Sequence, residues 1–220
     1  MKNPRTILEA LGYWLNFELS CRRQELFNER HMSYPIGQFL IARYRQMVRT
    51  EFEHPILGPL ITGSGNKPKI DFAVLNETNN SDIELAIETK WVSKSNTLAR
   101  DICRDLIRLS LLLNDNNCSA FLIVAGKKTQ MDNLFRKKAI SFFPKDDKTE
   151  KGKIDLLKKY KSDDKFVKSV LDKYPDIQIP NSIIVKKISA FQLNLRDSQY
   201  PIYGWRIMKR DVKTFKYKRA

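Results

Sequence analysis

The sequence is poor in the residues on which much enzyme chemistry depends. It contains three cysteines in 220 residues, and their positions fit neither the Cys/His spacing of a zinc site nor an even disulfide framework. The cysteines are therefore expected to be buried thiols in a reducing compartment. The presence of only two histidines, His31 and His54, argues against a histidine–metal nuclease and against Ser-His-Asp or Cys-His catalysis. We expect each histidine to be an ordinary loop residue.

Long apolar segments are also missing. No run of about 18 apolar residues occurs, so we expect no segment that spans a membrane. The N-terminal stretch MKNPRTILEALGYWL lacks the apolar core and the small-residue cleavage site of a signal peptide. Both absences favour a cytoplasmic protein.

Positive charge is what the sequence has in excess. Forty Lys and Arg residues stand against 25 Asp and Glu residues, which gives a formal net charge of +15 at pH 7. Such an excess is typical of a protein that binds a polyanion, with nucleic acid as the first candidate and an anionic membrane surface as the second. The alternative is a protein that is basic without any such partner.

The hydrophobic pattern predicts an α/β domain. The predicted helices span 5–30, 36–49, 97–114 and 130–142, and the predicted strands span 56–61, 69–75, 84–92, 119–125, 182–193 and 201–209. Residues 31–37 are expected to break the first helix. The run SAFLIVA at 119–125 is apolar throughout, which is typical of a strand buried on both faces. Three antiparallel strands followed by a crossover helix and a further strand predict a mixed sheet flanked by helices.

The chain is expected to form a single domain with additions at its C-terminal end. The core would occupy about 5–143, followed by a lysine-rich insertion or lid at about 144–180 and by strands and a basic tail at 181–220. Trp205 is expected in the sheet core rather than on a base-stacking surface. Phe215 and Tyr217 stand among lysines of the tail, where they would either stack on bases or fray.

Two predicted strands bring carboxylates and an ammonium group to one side. Alternate side chains of a strand point the same way, so Asp71 shares a face with Ala73, and Glu88 and Lys90 share a face with Ala86. If the strands pair over one core, all three charged groups project together, and the small alanines leave room for a substrate. Carboxylates hold a hard divalent cation, and the lysine can orient a water or neutralise charge on phosphorus. The alternative is a solvated Glu88–Lys90 pair, with Asp71 capping a turn.

The sequence resembles the PD-(D/E)XK nuclease superfamily in having an acidic residue, Asp71, on one strand and an acidic-x-Lys triplet, Glu88-Thr89-Lys90, on the next. Ile70 stands here in place of the motif's proline. The resemblance covers roughly the first 126 residues. It implies the restriction-endonuclease-like fold, an α/β core with a mixed β-sheet in the order αβββαβ flanked by helices, here with a basic C-terminal elaboration. It also implies that Asp71, Glu88 and the backbone carbonyl of Thr89 bind Mg²⁺, with Mn²⁺ as a substitute, and that Lys90 assists the attacking water.

The resemblance also points to residues outside the triplet. Many members carry a glutamate on the first helix that faces the site, and Glu18 is favoured here over Glu25. The segment ARDICRDLIRL resembles a basic helix that many members place near the DNA or the active site. Its arginines Arg100, Arg104 and Arg108 would then contact phosphates. Independently of the resemblance, Lys67 and Lys69 lie beside the glycine turn before the Asp71 strand, where they would either contact phosphate or be only solvated. Asp101 and Asp105 are one turn apart, and their basic neighbours favour ion pairs on the helix surface over metal binding.

The function these features predict is a Mg²⁺-dependent endonuclease that hydrolyses phosphodiester bonds of double-stranded DNA, in restriction or another defence against foreign DNA. A repair or recombination nuclease is the next candidate, and an RNA-directed nuclease or toxin would use the same residues. Cutting both strands requires two active sites, which is consistent with a homodimer. The alternative from another class is a non-catalytic nucleic-acid-binding module of a larger complex, with salt-sensitive binding and no metal requirement.

Overall fold

The computed structural model describes residues 4–60, 67–79, 82–93, 97–115, 118–137, 140–144, 151–188, 199–208 and 213–217. Within these ranges the chain is an α/β structure built on a mixed seven-stranded sheet with helices on both faces. The helices are α1 (Pro4–Ser20), α2 (Glu29–Tyr44), α3 (Leu98–Leu111), α4 (Lys128–Arg136), α5 (Leu156–Lys161) and α6 (Lys165–Leu171). The strands are β1 (Val48–Glu53), β2 (Lys69–Leu75), β3 (Ile83–Val92), β4 (Ser119–Gly126), β5 (Lys151–Asp155), β6 (Gln178–Pro180), β7 (Ser182–Ile188), β8 (Ile202–Ile207) and β9 (Thr214–Lys216).

The large sheet has the strand order β1-β2-β3-β4-β8-β7-β5. Its first three strands form an antiparallel meander, and β4 runs parallel to β3 after the crossover through α3. The predicted mixed sheet flanked by helices is therefore confirmed. β8, β7 and β5 extend the same sheet with antiparallel pairs, while β6 and β9 form a separate two-stranded pair.

The sheet separates two apolar cores. The core under α1 and α2 includes Leu8, Leu11, Ile36, Phe72 and Ile87. The core on the opposite face, under α3, includes Ala73, Ala86, Ile102, Leu122 and Trp205. β4 is buried along its whole length because both cores cover it, as its apolar run predicted. Trp205 is 1% exposed, which confirms its place in the sheet core.

The break between the first two helices lies earlier than predicted. α1 ends at Ser20, and α2 begins after Asn28, whose side chain accepts a hydrogen bond from the His31 N–H at 2.9 Å. The helix predicted over 5–30 is therefore confirmed for 5–20 and wrong for 21–28, and the break predicted over 31–37 is wrong because α2 runs through those residues. α2 runs through Pro35, which is buried inside it. Burial of the α2 face that includes Met32 outweighs the hydrogen bond that a proline removes.

The first strand was also misplaced. Residues 55–60 form turns and not the predicted strand at 56–61, whose last residue lies outside the described ranges. The helix predicted over 36–49 is confirmed as far as Tyr44, and β1 begins at its last two residues, at Val48. His54 organises these turns, since its Nδ1 accepts from the Ile56 and Leu57 N–H groups. This histidine is 0% exposed and is therefore not an ordinary loop residue.

The C-terminal elaboration is built into the fold. The described part of the predicted lysine-rich insertion starts with a strand, β5, which pairs with β7, and continues with two short helices. Val167, Val170 and Leu171 of α6 are buried in the core that α3 also lines. In the tail Tyr217 is buried and its hydroxyl donates to Asp172, so it neither frays nor stands open to bases. Across the described ranges, no helix has the length and apolarity that a membrane crossing needs.

The contact between α1 and β8 gives a test of this arrangement. Gly204 lies beneath the buried side chain of Leu8, and a Cβ at Gly204 would come within 2.5 Å of Leu8 Cδ1. Gly204→Ala is therefore expected to lower the free energy of unfolding by about 1 to 3 kcal/mol, measured by urea denaturation. In a Leu8→Ala background the added methyl group has room. The free energy of unfolding of the double variant should therefore fall by less than the sum of the decreases in the two single variants. Strict additivity would contradict the contact.

Candidate active site

The site begins where two neighbouring strands separate. The ladder between β2 and β3 ends at the pair Phe72–Ile87, and in that register Thr89 would next face Ile70. Instead the Asp71 carboxylate enters the gap. Its Oδ2 accepts hydrogen bonds from the Thr89 N–H at 2.7 Å and from Thr89 Oγ1 at 2.8 Å. Because the N–H and C=O of a strand residue point to the same side, the carbonyl of Thr89 opens to the same gap.

The backbone on the other side of Asp71 is also irregular. β1 pairs with β2 on either side of this position, but Glu51 and Asp71 are missing from the ladder. Glu51 has a φ of 50°, in the left-handed region that non-glycine residues rarely adopt. Local strain of this kind concentrates at functional positions. Asp71 therefore lies between two interruptions of the sheet.

Glu88 is the buried centre of the site. It is 0% exposed, projects from β3 toward α3, and accepts at Oε1 from Arg108 Nε at 3.0 Å. Its Oε2 is buried and has no hydrogen-bond partner among the described residues. The alternative of a solvated Glu88–Lys90 pair is therefore wrong, because the carboxylate does not meet solvent.

A further carboxylate comes from α3. Asp105 is 2% exposed, accepts from Arg108 Nη2 at 2.6 Å, and lies 3.3 Å from Lys90 Nζ. The prediction that its basic neighbours hold it in an ion pair is confirmed, but the pair is buried and not on the helix surface. Lys90 also contacts Glu29 at the start of α2, with Nζ 3.2 Å from Oε1. Lys90 thus links the two helices that flank the sheet.

Burial and mutual repulsion control the protonation of this cluster. Burial raises the pKa of Glu88 well above its usual value, and the nearby Asp105 raises it further against the opposing effect of Arg108. Burial also raises the pKa of Asp105 to about 6, although Arg108 and Lys90 oppose the shift. Burial alone would lower the pKa of Lys90, but the surrounding carboxylates, Asp105 first, raise it overall. Lys90 is therefore an ammonium ion at neutral pH.

The cluster carries more negative than positive charge when every group is ionised. Two cations, Lys90 and Arg108, lie among four carboxylates, which are Glu29, Asp71, Glu88 and Asp105. The difference is two negative charges. Within the described ranges, however, no group of three or more acidic, histidine or cysteine side chains is arranged to hold a metal ion.

A cleft of about 720 Å³ reaches the cluster at Lys90, Asp105 and Arg108. Its walls are α3 and the segment after α6, and its lining includes Lys90, Arg104, Asp105, Arg108 and Lys173. Ala73 and Ala86, expected to leave room for a substrate, are instead fully buried beneath α3. The open space lies further along β3, at Lys90.

The glutamate predicted on the first helix lies away from the carboxylates of the site. Glu18 is buried on α1, where it accepts from Arg23 at 2.7 Å and lies 3.5 Å from His31. The glutamate that approaches Lys90 is Glu29, which sequence reasoning missed. Its position directly after an Asn N-cap at the start of α2 was the available signal.

The predicted phosphate-binding cations are divided between the surface and the site. Lys67 and Lys69 are exposed and lie 2.8 Å and 3.9 Å from Glu53 and Glu51. Arg100 is half-buried on α3. Arg104 donates to the Ser169 carbonyl at 2.9 Å and to Asp101 at 3.1 Å. Arg108 is the exception, because its guanidinium group donates hydrogen bonds to the buried carboxylates of Glu88 and Asp105.

No relative identifies this site. Comparison with protein-family models, with curated protein sequences and with solved structures yields no match to the chain. The resemblance to PD-(D/E)XK nucleases therefore stays a prediction from the motif and the order of elements.

The raised pKa of Asp105 predicts a pH-dependent stability. The carboxyl holds its proton more tightly in the folded chain, with a pKa of about 6, than at its usual value of 3.8. Its stabilising contribution is therefore present at acidic pH and is lost as the pH rises past the folded pKa, by an amount on the order of 2 to 3 kcal/mol. Asp105→Asn should flatten this part of the profile in urea unfolding between about pH 4 and pH 7.

Asp101→Asn provides the matched control. Asp101 lies one turn earlier on α3 and is more than a third exposed, so this variant should keep the slope of the native chain. An Asp105→Asn profile as steep as that of Asp101→Asn would contradict the assignment.

Proposed function

We propose that this chain is a Mg²⁺-dependent DNA nuclease with a restriction-endonuclease-like core. The observation that carries the proposal is the environment of Glu88, a fully buried carboxylate with one unpartnered oxygen among other acids and beside a protonated lysine. A structural carboxylate in a core is normally satisfied at both oxygens. An unsatisfied one next to excess negative charge favours a site that takes a cation.

The residues at the strand separation suit a hard divalent cation. Asp71 Oδ2 is taken by Thr89, while Oδ1 accepts no hydrogen bond within the described residues. Asp71, Glu88 and the Thr89 carbonyl would hold Mg²⁺, which accepts carboxylate and carbonyl oxygens and keeps several waters. A site of two carboxylates is also compatible with the lack of a three-acid group. When bound, Mg²⁺ supplies Lewis-acid activation of the phosphate and of a water nucleophile.

Lys90 has a defined role in this proposal. Because its pKa is raised, it remains charged and donates hydrogen bonds, and it does not act as a general base. Asp105 and Glu29 hold its ammonium group at the edge of the cleft. From there Lys90 would orient the attacking water or offset charge that develops on the phosphate.

The substrate class follows from charge. A net charge of +15 favours a polyanion, and Lys90, Arg104 and Arg108 line the cleft, where a phosphate group would meet them. We propose double-stranded DNA as the substrate, defence against foreign DNA as the setting, the cytoplasm as the location and a homodimer as the assembly that cuts both strands.

A non-catalytic DNA-binding module is the second candidate. It is favoured by Arg108, which contacts both Glu88 and Asp105 and so neutralises part of the site without a metal. Such a chain would bind DNA in a salt-sensitive manner and would not turn over.

Cleavage by Lys90→Ala separates the two candidates. This variant should lose at least about 100-fold in cleavage of plasmid DNA with Mg²⁺, since a preorganised charge at the reacting phosphate is removed, while DNA binding persists. Lys158→Ala removes an exposed lysine of α5 and should cleave at the native rate. Native-level cleavage by Lys90→Ala would overturn its assignment, and a native chain that binds DNA but never cuts would favour the binding module.

Binding of Mg²⁺ should also stabilise the fold. At a concentration about 100 times the Kd, Mg²⁺ would add about 2.7 kcal/mol to the free energy of unfolding, seen as a higher Tm. Glu88→Gln should lose most of this increase. Glu84→Gln alters the same strand and the same face four residues earlier and should keep it. Equal increases in the two variants would exclude Glu88 as a ligand.

A further inference from the structure

Three neighbouring strands place a row of cations on one face of the large sheet. Arg206 of β8 pairs with Lys186 of β7, and Lys186 pairs with Lys151 of β5. Residues that are directly opposite each other on neighbouring strands have their side chains on the same face of a sheet. Lys153 adds a fourth cation to this face, since it follows Lys151 by two residues on β5. These four residues form the basic face.

The basic face lies on the side of the sheet that α1 and α2 cover. Gly204 lies beneath Leu8 of α1, and Arg206 follows Gly204 by two residues on the same side of β8. Trp205, between them, belongs to the core under α3. Glu88 also projects toward α3. The basic face and the candidate active site are therefore on opposite sides of the sheet.

The basic face is open to solvent where the cover of α1 and α2 ends. Arg206, Lys151 and Lys153 are exposed, and Lys186 is half-buried. The apolar core under α1 and α2 includes Ile202 of β8 and, among the described residues, none from β5. A ligand therefore reaches these cations without displacing a helix.

Three of these cations are not balanced within the described part of the chain. Like charges directly opposite each other on neighbouring strands repel and destabilise a sheet. In the described ranges, Lys151, Lys153 and Arg206 take part in no ion pair. The one acidic residue of these three strands is Asp155, whose carboxylate accepts from the Lys158 N–H as the N-cap of α5. A bound anion would offset the repulsion.

The extent of the basic face fits a chain of phosphates. Two strand spacings, about 10 Å, separate Arg206 from Lys151, and Lys153 lies about 7 Å further along β5. An area of this size is larger than one phosphate group. The backbone of a nucleic acid presents a continuous series of phosphates, to which lysine and arginine donate charge-assisted hydrogen bonds. The basic face is therefore matched to a polymer of phosphates.

Apolar side chains decide between nucleic acid and an anionic membrane surface. Segments that bind a membrane surface bury apolar side chains in it as well as pairing their cations with lipid headgroups. The large apolar side chains that are exposed in the described part of the chain lie outside β5, β7 and β8. Cations without an exposed apolar anchor beside them favour nucleic acid.

We propose that the basic face binds the phosphate backbone of a nucleic acid duplex. Because the basic face lies across the sheet from the cleft, a straight duplex in the cleft would not reach it. That it holds a second stretch of DNA, apart from the one to be cleaved, rests on the proposed nuclease function. Binding of the backbone itself depends on neither metal nor cleavage.

Protection of lysines from acetylation tests the proposal directly. A water-soluble reagent acetylates the exposed lysines of the native chain, and mass spectrometry of peptides gives the rate at each position. A DNA duplex, added with EDTA so that no metal-dependent cleavage occurs, should slow acetylation of Lys151 and Lys153 in a saturable way. Lys137 is exposed at the end of α4, on the α3 side of the sheet, and should react at an unchanged rate. Unchanged rates at Lys151 and Lys153, or equal protection of Lys137, would overturn the proposal.

Two other anions serve as probes in the same assay. Inorganic phosphate at the same total phosphate concentration should give no protection, because it offers one phosphate at a time. Vesicles of phosphatidylserine and phosphatidylcholine should also leave the rates unchanged. Protection by vesicles and not by DNA would assign the face to a membrane surface and overturn the proposal, and so would equal protection by inorganic phosphate.

An arginine variant makes the test quantitative. The DNA concentration that half-protects Lys151 and Lys153 should rise with salt, with a log–log slope of about 0.9 for each phosphate that the face neutralises. Arg206→Gln should therefore lower this slope by about 0.9. Arg136→Gln removes an exposed arginine of α4, on the α3 side, and should keep the native slope. Equal slopes in the two variants would contradict a phosphate contact at Arg206.

Failure of this proposal is distinguishable from failure of the nuclease proposal. Protection of Lys151 and Lys153 in a chain that never cleaves DNA would support the basic face and contradict only the nuclease. Cleavage with Mg²⁺ by a chain in which DNA protects neither lysine would overturn the basic face alone.

Discussion

Burial of the Glu88 carboxylate is the constraint around which the candidate site is arranged. A charge at 0% exposure has lost its hydration, and it is tolerated when partners replace the water. Arg108 supplies the nearest positive charge, from a helix that crosses directly over the sheet. Removing Arg108 would leave both Glu88 and Asp105 buried and less compensated, which typically costs several kcal/mol. The position of α3 is therefore tied to the charge beneath it.

Other parts of the chain hold α3 in that position. His54 Nδ1 accepts two backbone N–H groups, so Nε2 carries the proton and donates to the Arg108 carbonyl at 3.0 Å. Burial lowers the pKa of His54 to about 4, which keeps the ring neutral near pH 7. From the C-terminal elaboration, Tyr174 donates to the Arg104 carbonyl at 3.0 Å. The elaboration thus supports one wall of the cleft as well as extending the sheet.

Strand parity made the core of the site predictable, and long-range packing made the rest unpredictable. The alternation of side chains along β3 alone placed Glu88 and Lys90 on one face. In the structure the Asp71 carboxylate lies at the point where β2 and β3 separate. The basic pattern of α3 could not reveal that Arg108 turns inward, because that depends on which strand lies beneath the helix. Pro35 gave a misleading break, since tertiary burial of α2 overrode the local preference of proline.

The proposed nuclease chemistry depends on a divalent cation in the gap between β2 and β3. Diffraction from crystals soaked in Mn²⁺, recorded at a wavelength where manganese scatters anomalously, would locate such a cation. An anomalous peak is expected within coordination distance of Asp71, Glu88 and the Thr89 carbonyl. Anomalous density confined to other acidic groups, with Arg108 still bound to Glu88 and no peak at the gap, would contradict it.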